Sequence, residues 1–192
     1  MKVINCSTAA QYFHALRRQC RRPFRKPLIV VAPKKLLKLK AANSDIEDFD
    51  VGLRFKRVLP DTAKDLVPDS KVKRVLFCSG QVYYDLENER VKRGVKDVAI
   101  VRVEELSPFP FRSVEPELKK YSNAEPMWVQ EEPKNQGAWT FVEPRFRNLL
   151  DKMKHKYADV DYAGRAISAS TATGYGKTHT AELQSYLNLA ME

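Results

Sequence analysis

Short apolar runs alternate with longer amphipathic segments through most of this sequence, and this alternation constrains the fold more than any other feature. Beyond residue 70, each apolar run has the length of a strand and each amphipathic segment has the period of a helix. The predicted strands are 74–78, 98–103, 127–130 and 161–164, and the predicted helices are 82–93, 113–121, 140–155 and 178–189. The pattern predicts an α/β fold with a mostly parallel sheet and helices on both faces.

The first 42 residues predict a smaller β-α-β unit. A strand at 2–6 is followed by an N-cap at Ser7 or Thr8, a helix at 10–20 and an apolar strand at 28–32. The apolar side chains that we expect on the core-facing side of this helix are Tyr12, Phe13 and Leu16. Because a unit of this size leaves its sheet edges unpaired, we expect that strands from outside the chain complete it. The predicted organisation is an incomplete β-α-β unit at 1–42, a connecting segment at 43–70 with one short strand near 55–59, and a complete domain at 71–192.

Residues 127–150 combine a strand, a polar corner and an aromatic helix. Glu131-Glu132-Pro133 ends the strand, and Gly137 allows the backbone to turn. The apolar residues of the helix recur at a helical period and are Trp139, Phe141, Val142, Phe146, Leu149 and Leu150. Two adjacent carboxylates could form an acid/base couple, but at the end of a strand they are more typical of a solvated or interface corner. We therefore assign them no catalytic role, and we expect Trp128 and Trp139 to be buried.

The positive charge is concentrated at one end of the chain. The formal net charge is +10, and the first 40 residues contain eleven Lys and Arg residues and no acid. Three interpretations are open: a surface for nucleic acid or another anion, an Arg-rich targeting segment, and an ordinary basic helix face. The candidate contacts to an anionic partner are Arg17, Arg18, Arg21, Arg22, Arg25, Lys34, Lys35, Lys38 and Lys40.

The residues that commonly bind metals or phosphates have no decisive spacing. Cys6, Cys20 and Cys78 match neither a metal site nor a disulfide framework, and we expect Cys6 and Cys78 to be buried packing residues. The three histidines are also far apart in sequence. The Gly-rich run before Thr178 lacks the glycine that a phosphate loop needs, because Thr171 stands there. Anion binding at the following helix start remains open. No apolar run is long enough to predict a membrane span.

Several blocks resemble one enzyme family. The 127–150 block, the tail formed by 162–165 and 168–182, and the blocks 72–86 and 98–110 are similar to the C-terminal region of the thiamine-dependent E1 component of 2-oxoglutarate dehydrogenase. Residues 3–29 are similar to the segment that precedes it. This resemblance implies a transketolase C-terminal-like domain at 71–192, and it identifies 1–42 as the end of the pyrimidine-binding domain.

The resemblance also implies a function. Such E1 subunits use thiamine diphosphate and Mg²⁺ to decarboxylate 2-oxoglutarate and transfer the succinyl group to lipoyl E2. The catalytic, cofactor and metal residues of the family lie in regions that these blocks do not match, so the chain alone is expected to bind no cofactor and to be inactive. The implied partners are the remainder of E1, a second E1 subunit and E2, in the mitochondrial matrix or the bacterial cytoplasm; we predict the matrix. The candidate interface residues are Glu131, Glu132, Asn135, Gln136, Arg165 and His179.

Departures from the family pattern lie near the N-terminus. Ala9 stands where the family typically has Pro, and Lys35, Lys38, Leu39 and Lys40 replace Ser, Arg, His and Pro. These changes suit an alternative: a truncated, non-catalytic paralogue that serves as a structural subunit of a larger mitochondrial assembly, one that could contain RNA. The 2-oxoadipate dehydrogenase E1 is a minor rival within the enzyme class.

Overall fold

In the computed structural model, which describes residues 1–192, the chain forms two β-sheets and five α-helices. The strands are β1 (Lys2–Ile4), β2 (Leu28–Val30), β3 (Val58–Leu59), β4 (Arg74–Cys78), β5 (Val98–Val103), β6 (Glu105–Ser107), β7 (Glu125–Pro133) and β8 (Asp161–Arg165). The helices are α1 (Ala9–Arg21), α2 (Val82–Arg93), α3 (Phe111–Lys120), α4 (Trp139–Met153) and α5 (Gly176–Met191). None of the helices is both long enough and apolar enough to cross a membrane.

The larger sheet has five strands in the order β3-β5-β4-β7-β8. The pairs β5-β4, β4-β7 and β7-β8 are parallel, and only the short β3 runs antiparallel, against β5. In the central strand, Arg74 lies opposite Val98 on one side and Glu125 on the other. The mostly parallel α/β sheet predicted from the sequence is confirmed.

Helices cover both faces of this sheet, as predicted. Val75 and Phe77 of β4 face α3 and α4, whereas Leu76 and Cys78 face α2 and α5. All four side chains are fully buried, which explains why β4 is a continuous apolar run rather than an alternating one. Full burial of a side chain of this kind stabilises the fold by about 1.5–3 kcal/mol. Each face of the sheet therefore packs a separate hydrophobic core that stabilises the domain.

The smaller sheet corrects one expectation about the N-terminal unit. Its order is β2-β1-β6, with β1 parallel to β2 and antiparallel to β6. One edge of the β-α-β unit is therefore paired by a strand of this same chain. The sequence analysis missed β6 because Glu105-Leu106-Ser107 contains only one apolar residue. Only Glu104 separates β6 from β5, so one stretch of chain contributes to both sheets.

The face that α1 buries also differs from the prediction. Tyr12, Phe13 and Leu16 are each more than 40% exposed, and the helix buries Ala10, Gln11, His14 and Ala15 instead. The reason is that α1 packs against the irregular backbone of the 43–57 segment, whose amides and carbonyls need polar partners. Gln11 exchanges two hydrogen bonds with the backbone of Lys56, and Nε2 of His14 lies 2.8 Å from the carbonyl of Asp48. The N-cap is Thr8, whose hydroxyl accepts from the amide of Gln11.

The connecting segment is anchored to the larger sheet by one buried acid. Asp61 accepts hydrogen bonds from the guanidinium of Arg90 and, at 2.6 Å, from the backbone amide of Ile100. The two charged side chains are 2% and 5% exposed. An ion pair this deeply buried holds the segment in place, because its separation would leave a charge without a partner.

Candidate functional site

Gln130 organises the corner that follows β7. Its side-chain oxygen accepts hydrogen bonds from Nε1 of Trp128 and from the backbone amides of Ala138 and Trp139 at the start of α4. Its amide nitrogen donates to three carbonyls, those of Glu132 and Pro133 at the end of β7 and that of Gln136 in the corner. One buried side chain therefore holds the corner and caps the helix. The sequence analysis did not single out this residue.

Gly137 explains how the corner can close around that side chain. Its φ of +66° lies in the left-handed region, and a Cβ at this position would lie 2.9 Å from Nε2 of Gln130. Any larger residue would have to displace the amide that caps α4. The glycine that the sequence analysis identified as a turning point is thus required for both its backbone angle and its small size.

Three candidate interface residues bind the chain's own C-terminal loop. Asn135 and Ser168 exchange two hydrogen bonds, Asn135 Nδ2 to the carbonyl at 3.0 Å and the Ser168 amide to Asn135 Oδ1 at 3.1 Å. Gln136 donates to the same carbonyl at 3.2 Å. Arg165 donates to Glu182 on α5 at 2.7 Å. In this structure these side chains connect the polar corner and the tail of one chain, and their role between subunits stays a prediction.

The remaining three candidates lie around a patch of carboxylates. Glu131 is half-buried and accepts a hydrogen bond from Gln81 at 2.6 Å. Burial raises the pKa of Glu131, and the neighbouring Glu132 and Asp85 add to the effect. Glu132 uses its backbone carbonyl as an acceptor for Gln130 and Tyr162, and His179 is exposed at the start of α5. The side chain of Glu131 thus binds the amide of Gln81, and the assignment of no catalytic role stays a prediction.

Four of the candidate cationic residues line one groove. The arginine groove has a volume of about 810 Å³ and is formed by α1 and the 52–58 segment. The cationic side chains that line it are Arg17, Arg18, Arg21, Arg22, Arg54, Lys56 and Arg57. The other five candidates, Arg25, Lys34, Lys35, Lys38 and Lys40, lie outside it. Of these, Lys35 is 3.9 Å from Asp85.

The electrostatics of the arginine groove are strongly positive. Glu105, whose side chain is 2% exposed, forms ion pairs with Arg18 at 3.2 Å and with Arg57 at 2.9 Å. One carboxylate cannot balance seven cations. The neighbouring Lys2 is affected by the same positive charge. Its pKa is lowered to about 8, mainly by burial and further by repulsion from Arg18 and other groove cations.

Three of the groove cations were missed by the sequence analysis. Arg54, Lys56 and Arg57 belong to the run Arg54-Phe55-Lys56-Arg57, which lies in the segment interpreted as a connection. The basic run itself was a usable signal, since three cations in four residues are typical of an anion-binding surface. Its position opposite α1 depends on the contacts of Gln11 and His14 described above, which no local pattern encodes.

The structure contains no group of three or more His, Cys, Asp or Glu side chains arranged to hold a metal ion. No step of cofactor chemistry is assigned to the residues of this chain. All three cysteines are free thiols. Cys6 and Cys78 are buried, as predicted, and burial raises the pKa of Cys78 to about 12. These two thiols act in packing.

Comparisons with known proteins agree on one relationship. The family model described as 2-oxoglutarate dehydrogenase C-terminal matches residues 43–191, and the model for the transketolase pyrimidine binding domain matches residues 1–40. The 2-oxoglutarate dehydrogenase E1 components of Brucella anthropi and Brucella ovis are each 47% identical over 198 aligned residues, and that of Brucella abortus is 46% identical. In each case the similarity covers 100% of this chain and 20% of the relative. The chain thus spans about one fifth of the length of these relatives.

Proposed function

Because this chain belongs to the family of 2-oxoglutarate dehydrogenase E1 components, as its motifs predicted, we propose that it forms the C-terminal region of such a subunit. The complete subunit would decarboxylate 2-oxoglutarate and transfer the succinyl group to lipoyl E2 in the tricarboxylic acid cycle. Thiamine diphosphate and Mg²⁺ would supply the carbanion chemistry. This chain would contribute packing within an E1 homodimer, and its predicted location stays the mitochondrial matrix.

One observation carries the packing role. The N-terminal unit exposes apolar side chains on its free edge and on α1: Ile29 is 47% exposed and Tyr12 43%. Strand β2 has no neighbour on its outer side, and unpaired strands with apolar side chains are normally covered. In this proposal residues 1–42 are the end of the pyrimidine-binding domain, residues 43–70 are a connection, and residues 71–192 are the transketolase C-terminal-like domain. Other parts of E1 would cover this edge.

The test is the intact mass of the native protein purified from its source. A mass several times larger than the 22.1 kDa of this chain is expected if the chain is the end of a full E1 subunit. A native mass of 22 kDa, together with no decarboxylation of 2-oxoglutarate by the purified protein, would contradict the proposal.

The arginine groove favours a second candidate function. Seven cations line it against one buried carboxylate, and Arg21, Arg54 and Lys56 are exposed within it. Phosphate groups, such as those of an RNA backbone, are ligands that exposed guanidinium and ammonium groups bind. We propose as the alternative that a non-catalytic form of the chain docks in a larger mitochondrial assembly by contact of this groove with an RNA backbone.

Two triple variants of equal charge separate this groove from the rest of the basic N-terminus. Arg21→Gln/Arg54→Gln/Lys56→Gln removes three groove charges, and Lys34→Gln/Lys38→Gln/Lys40→Gln removes three charges outside it. Binding of a labelled single-stranded RNA is measured against salt concentration. The groove variant is expected to reduce the slope of log affinity against log salt by about 2, at roughly 0.7 per phosphate contact, and the control variant is not. Equal losses in both variants would mean that net charge alone is responsible.

A further inference from the structure

The larger sheet contains a topological switch point at the end of β4. From β4 the chain continues to β5 on one side, and later places β7 on the other side. The connections that leave the carboxyl ends of β4 and β7 therefore run to opposite faces of the sheet, and a crevice opens between them. In open α/β sheets, ligands bind in this crevice.

A cavity of about 420 Å³ lies at this switch point. Its walls come from three parts of the chain. Ser79 directly follows β4 and Trp128 lies within β7, Asn5 and Val31 belong to the N-terminal unit, and Phe141 belongs to α4. We call it the switch-point cavity. Its volume lies within the range of about 300–1,000 Å³ that is typical of small-molecule sites.

Two polar atoms of the cavity lining have no hydrogen-bond partner in the protein. They are Oδ1 of Asn5, a residue that is only 7% exposed, and Oγ of Ser79. An unpaired buried acceptor costs about 1–3 kcal/mol, so a bound group that donates a hydrogen bond would recover that energy. Gln130, which also lines the cavity, has its oxygen and its nitrogen both engaged within the corner. The buried side-chain atoms of the lining that remain free to bond a ligand are therefore Oδ1 of Asn5 and Oγ of Ser79.

The backbone of Gly80 passes close to the Asn5 amide. Gly80 has a φ of +74°, and a Cβ on it would lie 2.4 Å from Nδ2 of Asn5. Any residue other than glycine at position 80 would place a Cβ against the Asn5 amide and displace it. The glycine therefore leaves room for the Asn5 amide, whose unpaired oxygen is available to a ligand.

The lining also determines the class of ligand. Seven of the thirteen lining residues are apolar, and the lining contains no Lys, Arg or His and one acid, Glu132. Such a lining offers an anion no cationic side chain, in contrast to the arginine groove. We propose that the switch-point cavity binds a small, flat, neutral or monocationic molecule of the amino-heterocycle class, which donates an N–H to Asn5 and packs its ring against the half-buried Phe141. This inference goes beyond the proposed function and does not depend on it.

The probe for this proposal is 2-aminobenzimidazole, titrated calorimetrically into the full chain. Saturable binding is expected, together with a change in the fluorescence of Trp128, recorded in a Trp139→Phe background. Asn5→Leu keeps the size of the side chain and removes the acceptor, so it is expected to weaken binding at least tenfold. Asn43→Leu, at an exposed position outside the cavity, is the matched control and is expected to bind normally.

Three results would overturn the proposal: no binding at millimolar probe, equal affinity in the Asn5→Leu variant, or equal affinity for the anionic benzimidazole-2-carboxylate. If Asn5→Leu does not fold, Ser79→Ala removes the second unpaired oxygen. That variant is expected to weaken binding in the same direction, and unchanged affinity in it would equally count against the proposal.

Discussion

Glu104 accepts two hydrogen bonds from Ser7, one from the hydroxyl at 2.6 Å and one from the amide at 3.0 Å, across 97 positions of sequence. Arg102 donates to the same hydroxyl at 3.1 Å, and the phenol of Tyr84 donates to the Ser7 carbonyl at 2.6 Å. All of these side chains are buried. The N-terminal unit and the larger sheet are thus joined by a polar network around a single serine.

Stability should depend on pH through this network. Burial raises the pKa of Glu104 above its usual 4.5, although the bonds from Ser7 oppose the shift. A raised folded-state pKa means that the folded protein holds this proton more tightly than the unfolded chain does. The contribution of Glu104 to stability is therefore present at pH values below 4.5 and declines as the pH rises through the folded-state pKa. Urea denaturation from pH 4 to pH 8 should show wild type losing stability relative to Glu104→Gln over that interval. The exposed Glu47→Gln should show no such divergence, and parallel curves for wild type and Glu104→Gln would refute the expectation.

Replacement of Gln130 should destabilise the corner strongly. Gln130→Ala leaves the start of α4 and three carbonyls without their partner, which predicts a loss of about 2–4 kcal/mol in the free energy of unfolding. Gln130→Glu keeps the acceptor oxygens but cannot donate, so an intermediate loss is expected. Chemical denaturation measures both. Gln184→Ala, which removes a half-buried glutamine on α5, should cost less than Gln130→Ala; equal losses would contradict the central role of Gln130.

Removal of Asp61 should be costly although it lies in a connecting segment. Asp61→Ala leaves Arg90 buried without a counter-ion, and breaking a pair of this kind costs about 3–5 kcal/mol. The comparison is with Asp65→Ala, whose side chain is 70% exposed and lies 3.9 Å from Lys96. That change should cost less than about 1 kcal/mol. Similar thermal denaturation midpoints for the two variants would show that the segment is not anchored by Asp61.

The two tryptophans should differ in their accessibility to a quencher. Both were expected to be buried, and the structure confirms this for Trp128, at 1% exposure, whereas Trp139 is only half-buried against Tyr162. Iodide should therefore quench part of the wild-type emission and almost none of the emission of Trp139→Phe. Strong quenching in that variant would mean that β7 is not in the register described here.

The parts of the fold that the sequence predicted are those with a local cause. Residues 74–78, 82–93 and 98–103 have the predicted bounds because the spacing of apolar residues and the residues that end each element define them. For example, α2 ends at Gly94 in the left-handed conformation, with φ of 64°. The Thr8 N-cap is another local feature, since the hydroxyl bonds an amide three residues ahead.

The parts that could not be predicted depend on contacts between distant segments. Strand β6 exists because β1 lies beside it, and the buried face of α1 was mistaken because the backbone around Lys56 requires Gln11 there. The arginine groove combines cations from α1 with cations more than thirty positions away. Local patterns identified the members from α1, and only the fold brings the two groups together.

Glu104 gives the link between the two sheets a mechanical consequence. Rotation of one sheet against the other would have to change the φ and ψ angles of this single residue. Its own amide donates to the carbonyl of Arg57 at 2.9 Å, and its carbonyl accepts from the amide of Asn5 at 2.9 Å. The two peptide groups that flank the Cα of Glu104 are thus each restrained by a hydrogen bond to a different segment of the chain. A change in the angle between the two sheets would therefore break at least one of these hydrogen bonds, so we expect the N-terminal unit and the larger sheet to move as one unit.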